Sequence, residues 1–239
     1  MPPPSFADRK AKILTGLNTP DDQYQDLSPK GSVDAGIRDL IAEINASPDY
    51  ATTSSCAGRI AVYLEGSKGA KGGGKWLYTS HDPIAVPDRP GEVIRMLGLP
   101  ERGDCSVPND SVAARFVHFK FEPLILHILT SSLIPAQKVA TAAMSAGFRE
   151  SGINSVLPSS SPQHPLPATP IVAVRSSGLA FDCIIAYVEE NVESGGAETT
   201  VKPMVTDEYL RILVGVANER FKTNAERTAR FRKALLGTS

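Results

Sequence analysis

The chain has 239 residues, of which 41% are hydrophobic and 21% are charged, and its formal net charge is −1. This length suffices to bury a substantial core, and this composition excludes wholesale disorder. The three cysteines are widely spaced and include no CxxC pair, which argues against a disulfide framework or a zinc site, so we predict no metal. The N-terminal MPPPSFADRK lacks the apolar run of a signal peptide, and no later run could span a bilayer, so we expect a cytoplasmic protein.

The periodicity of the apolar residues predicts three helices. The first lies in SVDAGIRDLIAEINAS, where Ser32 can cap the start and Ser47-Pro48 ends the helix. The second has Pro135 in its first turn and ends at Gly147. The third is the longest; it is capped by Thr206 and continues to the region of Phe231.

Strands are predicted between these helices. They are GRIAVYLE, KWLYTS, ARFVHFKFEPLILHIL, TPIVAVRS and AFDCIIAYVEE. In the third, Val117, Phe119 and Phe121 alternate with polar or exposed positions, which is typical of a strand with one buried face. Strands and helices do not follow a strict βαβ rhythm, and no GxGxxG follows a strand. We therefore predict an α+β fold with a central mixed sheet, flanking helices and a long C-terminal helix, and not a Rossmann methyltransferase fold.

Three segments are predicted as surface insertions, near residues 65–75, 82–111 and 154–170. They are rich in glycine, proline or serine, and core-like strands follow each of them, so we expect one domain over residues 1–239. The first contains GAKGGGKW, which matches the glycine and lysine positions of a P-loop. Trp76 stands where a P-loop needs Ser or Thr, and a strand follows instead of a helix, so a hairpin loop is the better interpretation.

The stretch TTSSCAGR, residues 52–59, concentrates hydroxyl groups, a thiol, a glycine and an arginine. Small hydroxyl residues before Gly58 predict a turn whose backbone amides could bind an anion or ligand, and Arg59 adds a rigid fork for a carboxylate or phosphate. A polar turn with locally satisfied hydroxyls fits the composition equally well. Cys56 could be a nucleophile with His81 or His127 as its base, although a lone cysteine is more often a small buried residue.

The C-terminal helix is locally basic in a chain of nearly neutral charge. Such a run either contacts nucleic acid or forms a solvated helix face.

Several motifs together resemble one family. They are SPKGSVD, TTSSCAGR, KFEPLILH, AGFRESGI, AVRS and VTDEYLRILVGVANERF, in this order from about Ser28 to Phe231. The set closely resembles the tRNA wybutosine-synthesising protein 3 family. The resemblance implies an S-adenosyl-L-methionine-dependent methyltransferase that methylates N-4 of the 4-demethylwyosine-type tricyclic base beside the anticodon of phenylalanine tRNA. It implies phenylalanine tRNA as the partner, and other enzymes of the wybutosine pathway as further partners.

Roles follow for residues in and beside these motifs. The acceptor nitrogen must lose a proton, which makes Asp34, His81 and Glu122 the expected bases. The expected methyl-donor or substrate-binding residues are Ser54, Ser55, Cys56, Gly58, Arg59 and His127. Basic side chains that could hold tRNA phosphates are Lys30, Arg149, Arg175, Arg227, Arg230 and Arg232. Two alternatives stay open: a tRNA-binding module without catalysis, and a thiol hydrolase that uses Cys56 and His81.

Overall fold

A computed structural model describes most of the chain, namely residues 5–17, 34–66, 73–100, 105–108, 114–157, 169–191 and 198–237. The helices are α1 (Phe6–Leu17), α2 (Arg38–Ala46), preceded by a 3-10 turn at Ala35–Ile37, α3 (Glu92–Met96), α4 (Leu133–Ala146) and α5 (Asp207–Leu236). The strands are β1 (Tyr50–Leu64), β2 (Lys75–Ser80), β3 (Arg115–Thr130), β4 (Gly152–Leu157), β5 (Thr169–Val174), β6 (Phe181–Asn191) and β7 (Glu198–Pro203).

The strands form one sheet, with β2 at its edge. Its order is β2-β1-β3-β5-β4, and β6 pairs with both β3 and β7. The two halves of β3 have different partners, because Leu126 to Leu129 pair with β5 whereas Arg115 to Phe121 pair with β6. Strands β1 and β2 form a hairpin in which Ile60 is opposite Ser80 and Tyr63 is opposite Trp76. This confirms the hairpin interpretation of the glycine-rich stretch, whose residues 67–72 lie outside the described part.

The sheet and its helices confirm the α+β prediction. Each pairing with a described register is antiparallel, where the sequence suggested a mixed sheet. The reason lies in the order of the strands. The connection from β3 through α4 to β4 would give parallel neighbours, but β5 lies between β3 and β4 and is antiparallel to both.

The chain divides into two compact units, each with its own core. Unit 1 contains Met1–Gly58, Pro123–Gly178 and Thr223–Ser239, and unit 2 contains Arg59–Glu122 and Leu179–Lys222. In unit 1, α2, α4 and β3 provide most of the buried aliphatic side chains, with Phe148 and Phe231 in edge contact. In unit 2, the core is built around Phe119, Phe121 and the first half of α5. The prediction of a single domain over 1–239 stays a prediction.

The three predicted helices are present, although Ser32, the predicted cap of the first, lies outside the described residues. Gly147 ends α4 in the left-handed conformation at φ 102°, and Thr206 Oγ1 accepts a hydrogen bond from Tyr209 N at 3.3 Å at the start of α5. Helices α1 and α3 and strands β4 and β7 were not predicted. None of the described helices is both long enough and apolar enough to cross a membrane.

The predicted surface insertion at 82–111 is wrong in its described part. This segment contains α3, and it contributes five buried side chains to the core of unit 2: Ile84, Val93, Ile94, Leu97 and Leu99. The segment was predicted as an insertion because it is rich in proline, aspartate and glycine. Its apolar residues do not repeat over enough positions to indicate a helix or a strand. The insertion at 154–170 is also too wide, because β4 and the start of β5 occupy both of its ends. Its residues 158–168 lie outside the described part.

In unit 1, the side chain of Asn224 joins β1 to β3. Its Oδ1 accepts a hydrogen bond from Leu124 N, and its Nδ2 donates to Ala57 O, both at 2.8 Å. Leu124 follows Pro123, which has no N–H to donate to a neighbouring strand. Asn224 is only 4% exposed, so its buried side-chain amide acts as the hydrogen-bond partner of two backbone groups.

We expect Asn224→Ala to destabilise the protein by about 1–3 kcal/mol, because it leaves the buried Leu124 N–H and the partly buried Ala57 carbonyl without these partners. The measurement is the free energy of unfolding from urea titration. Lys222→Ala is the matched control on the same helix, since its side chain is 69% exposed and forms a surface ion pair with Glu219. An unfolding free energy for Asn224→Ala equal to that of the control would contradict the prediction.

Candidate functional site

The stretch TTSSCAGR lies within strand β1, so the prediction of a turn is wrong. Of its residues, Gly58 alone has a positive φ, at 110°, and it is buried. The hydroxyl groups instead serve contacts made from the strand. Thr52, for example, is buried and bonds Asn45 of α2 through both its backbone N and its hydroxyl, at 2.8 Å and 3.0 Å.

Two hydroxyl residues of this stretch contact His127 of β3. Ser54 Oγ lies 2.8 Å from His127 Nδ1, and Thr53 Oγ1 donates to the His127 carbonyl at 3.1 Å. Partial burial lowers the pKa of the His127 imidazole below its ordinary value, and the positive charge of Arg175 lowers it further. The ring is therefore neutral at pH 7 and has a nitrogen that can accept a proton.

Asp34 is a buried carboxylate placed against the same strand. Its side chain is 4% exposed, and Oδ2 accepts a hydrogen bond from Ala57 N at 2.7 Å. It precedes the 3-10 turn but makes no capping hydrogen bond there, so it is not merely a helix cap. A carboxylate oxygen of Asp34 lies within 4.8 Å of Cys56 Sγ. In unit 1, two predicted residues of the motif thus lie beside predicted partners: Ser54 contacts the neutral imidazole of His127, and Cys56 lies near the buried acid Asp34.

Arg59 and Glu122 form a separate group, in unit 2. Arg59 Nε donates to Glu122 Oε2 at 2.6 Å, and the guanidinium lies 4.7 Å above the centre of the Trp76 ring. This ion pair uses Nε and leaves the terminal nitrogens of the guanidinium as further donors. Glu122 therefore has a direct role in orienting Arg59; its expected role as a base stays a prediction. His81 follows the end of β2 and is half-buried.

Three of the arginines expected to bind tRNA make contacts within unit 1. Arg227 Nη1 donates to Gly147 O at 3.0 Å and to Ser176 Oγ at 2.9 Å, and Arg230 donates to Ala146 O at 3.2 Å and 3.3 Å. These two side chains satisfy carbonyls at the C-terminal end of α4, which lack partners within the helix. Arg232 pairs with Glu43 of α2. The basic run thus has a structural function that its charge alone did not indicate.

The other residues expected to bind tRNA are placed differently. Arg175 Nε donates to Glu150 O at 3.1 Å, and Arg149 is exposed. Lys30 lies outside the described residues. Asn224 was missed by the sequence reading, although it lies in the long helix. No local signal marks it, because its partners are 100 and 167 positions away.

Comparison with known proteins gives a consistent match over the chain. Residues 8–237 match the model of the family described as Methyltransferase TYW3. The chain belongs to this family.

Individual relatives agree with this assignment. The tRNA wybutosine-synthesizing protein 3 of Schizosaccharomyces pombe is 36% identical over 236 residues, covering 97% of this chain and 86% of the relative. The protein of the same name from Saccharomyces cerevisiae is 36% identical over 235 residues, covering 93% of this chain and 78% of the relative. Among solved structures, the PH1069 protein from Pyrococcus horikoshii has a TM-score of 0.67 and 26% identity, with 97% of this chain and 96% of that chain covered.

We expect Arg175→Gln to raise the pKa of His127 toward its ordinary value of about 6.5, because a positive charge near the imidazole is removed. The folded wild type binds this proton less readily than the unfolded chain. The free energy of unfolding of the wild type therefore falls as the pH drops from about 6.5 toward the lower pKa of the folded state. Over the same pH range, the free energy of unfolding of the variant should fall by a smaller amount. NMR titration of the imidazole measures the pKa, with Arg149→Gln as the control at an exposed site. An unchanged His127 pKa in Arg175→Gln would contradict this.

Proposed function

We propose that the protein is an S-adenosyl-L-methionine-dependent tRNA methyltransferase. It methylates N-4 of the 4-demethylwyosine-type tricyclic base beside the anticodon of phenylalanine tRNA, a step of wybutosine biosynthesis. The observation that carries this proposal is the family match over residues 8–237, which includes the hydroxyl-rich strand and its buried acid. The names of the yeast relatives support tRNA as the substrate class. Cytoplasmic location and contact with other enzymes of the pathway stay predictions.

The chemistry of the side chains fits such a donor. The donor has a carboxylate, an ammonium, ribose hydroxyls and an adenine, and when bound it supplies an electrophilic methyl group. The terminal nitrogens of Arg59 are suited to a carboxylate, either of the donor or of the aminocarboxypropyl chain of the base. The hydroxyls of Ser54 and Ser55 can bond polar groups of either ligand. Gly58 has a φ of 110°, a backbone conformation that residues with a side chain rarely adopt, so its place in the motif is explained by the local shape of β1.

The acceptor nitrogen has to lose its proton, and Asp34 is the base that we favour. Asp34 is a buried carboxylate beside the hydroxyl-rich strand, and a carboxylate within reach of the acceptor nitrogen can take its proton. His127 is neutral at pH 7, and we assign it the orientation of Ser54 at 2.8 Å. Glu122 is occupied by Arg59, which makes it a positioning residue in this proposal, and His81 is kept as the second candidate base.

For the tRNA phosphates, we favour Arg149 because it is exposed. Arg175 is a second candidate, and Lys30 is kept from the motif alone. Arg227, Arg230 and Arg232 bond protein groups, so their substitution is expected to act on stability as well as on RNA binding. Binding to phosphates should weaken with salt in proportion to the number of contacts.

Asp34→Asn tests the proposed base. The asparagine oxygen can still accept the hydrogen bond from Ala57 N, so we expect the fold to be kept, whereas the rate of methylation should fall about 10²- to 10⁴-fold. The assay is single-turnover methylation of precursor phenylalanine tRNA, followed by mass spectrometry of the nucleosides. Asp39→Asn, an exposed acid on α2, is the control. Full activity of Asp34→Asn would remove the base role. A wild-type protein that binds tRNA but never methylates it would be a binding module instead.

A second pair of variants tests whether the thiol or the guanidinium matters. Cys56→Ser should keep much of the activity, because methyl transfer to nitrogen needs no covalent enzyme intermediate. Arg59→Ala should lose about 10- to 150-fold, since charged hydrogen bonds are worth roughly 1.5–3 kcal/mol, and Arg59→Lys should recover part of that loss. The same assay applies, with circular dichroism as the check on folding. An inactive, folded Cys56→Ser beside a normal Arg59→Ala would indicate a thiol site.

A further inference from the structure

Trp76 on β2 contacts Arg59, but no part in ligand binding has been given to it so far. It is the single tryptophan of the chain, and 39% of its surface is exposed. Among the described residues, Tyr209 is the other aromatic side chain with comparable exposure, at 41%. A single exposed aromatic residue is ordinary on a protein surface. The contacts that hold Trp76 are what make it a candidate binding group.

Arg59 of the TTSSCAGR motif holds the indole from one direction. Its guanidinium lies 4.7 Å from the ring centre, and its Nε is fixed by Glu122 at 2.6 Å. A guanidinium over an indole is a favourable cation–π contact, and it places a positive charge beside the ring. Arg59, the last residue of the motif, therefore packs directly on the Trp76 ring.

Tyr63 supports the indole as well. Its ring centre lies 4.8 Å from that of Trp76, in the cross-strand position of the β1–β2 hairpin. Gly74 makes room for this ring, because a Cβ at residue 74 would lie 1.8 Å from Tyr63 Oη and 2.8 Å from Leu64 O. The indole is thus held by two side chains whose own positions are fixed, and it remains exposed.

We propose that Trp76 is a stacking platform for an unpaired nucleobase of the tRNA anticodon loop, with Arg59 supplying positive charge beside it. This inference rests on the proposed function. Aromatic side chains bind single-stranded RNA by stacking on its bases, and each base presents a π-face. A held indole loses little conformational freedom when a base stacks on it, which favours binding.

An RNA base fits this position better than the adenine of the methyl donor. Small cofactors are enclosed in concave pockets that bury most of their surface. Trp76 lies on β2, at the edge of the sheet, and is exposed there, which suits a ligand that continues beyond the site, such as an RNA loop.

Intrinsic fluorescence tests the proposal directly, because Trp76 is the only tryptophan. The wild-type protein is titrated with an anticodon stem-loop RNA, with a fully paired RNA duplex of equal length, and with S-adenosyl-L-methionine alone. We expect the stem-loop to quench the emission and the duplex to leave it nearly unchanged. The donor alone can reach Arg59 but is not expected to stack on the indole, so it should change the emission less than the stem-loop does.

Binding of the same stem-loop to variants, measured by anisotropy of labelled RNA, gives the second arm. Trp76→Ala should weaken binding about 5- to 150-fold, which is the range measured for loss of one stacked base. Trp76→Phe should retain most of the affinity. Tyr209→Ala, at a similarly exposed aromatic on α5, should bind like wild type.

Two results would overturn the inference. One is that the stem-loop does not change the fluorescence of the wild type and that Trp76→Ala binds the stem-loop as tightly as the wild type does. The other is quenching by the donor alone that is as strong as the quenching by the stem-loop, which would make the indole part of the donor site. Methylation of precursor tRNA by the wild type separates the two proposals. If the wild type methylates the tRNA but the Trp76 fluorescence does not respond to the stem-loop, only the stacking role fails. If no methylation occurs, the proposed function fails.

Discussion

The side-chain amide of Asn224 is the interaction on which the hydroxyl-rich strand depends. Pro123 of β3 has no N–H to donate, and the Asn224 amide supplies hydrogen bonds beside it. The amide accepts from Leu124 N of β3 and donates to Ala57 O of β1. Asp34 accepts from Ala57 N, so both backbone groups of Ala57 are bonded to side chains from outside β1. Buried backbone groups need such partners. An acid proposed to act in proton transfer therefore also holds the strand that carries the other motif residues.

A structural feature of this protein could be predicted from the sequence when the residues that determine it are close together along the chain. Helix α4 and strand β2 were predicted within a residue or two, because caps and short apolar patterns act within a few positions. TTSSCAGR was predicted as a turn because small hydroxyl residues and glycine are typical of turns. In the structure Ser54 and Thr53 bond His127, more than 70 positions away, and strand pairing of this kind leaves no local signal.

The basic C-terminal run shows a second limit, because a charge count does not say what each charge contacts. Gly147 was correctly predicted to end α4, but its interaction with Arg227 was not. A Cβ at residue 147 would lie 3.1 Å from Arg227 Nε, so the glycine both adopts the left-handed φ and leaves space for the guanidinium that bonds its carbonyl. One residue thus ends the helix and admits the side chain that satisfies the helix end.

Arg59 of the recognised motif contacts both Glu122 and Trp76, and the sequence analysis used Trp76 only to reject a P-loop. Arg59 and Glu122 are 63 positions apart, so their pairing could not be read from either motif. Trp76 lacks the hydroxyl with which a P-loop binds magnesium, yet the same bulky ring gives Arg59 a surface to lie on. A guanidinium held by both a carboxylate and an indole is oriented before any ligand arrives, so less entropy is lost on binding. Gly74, another residue of the rejected loop, then has a definite purpose, since it leaves the space that Tyr63 occupies beside the indole.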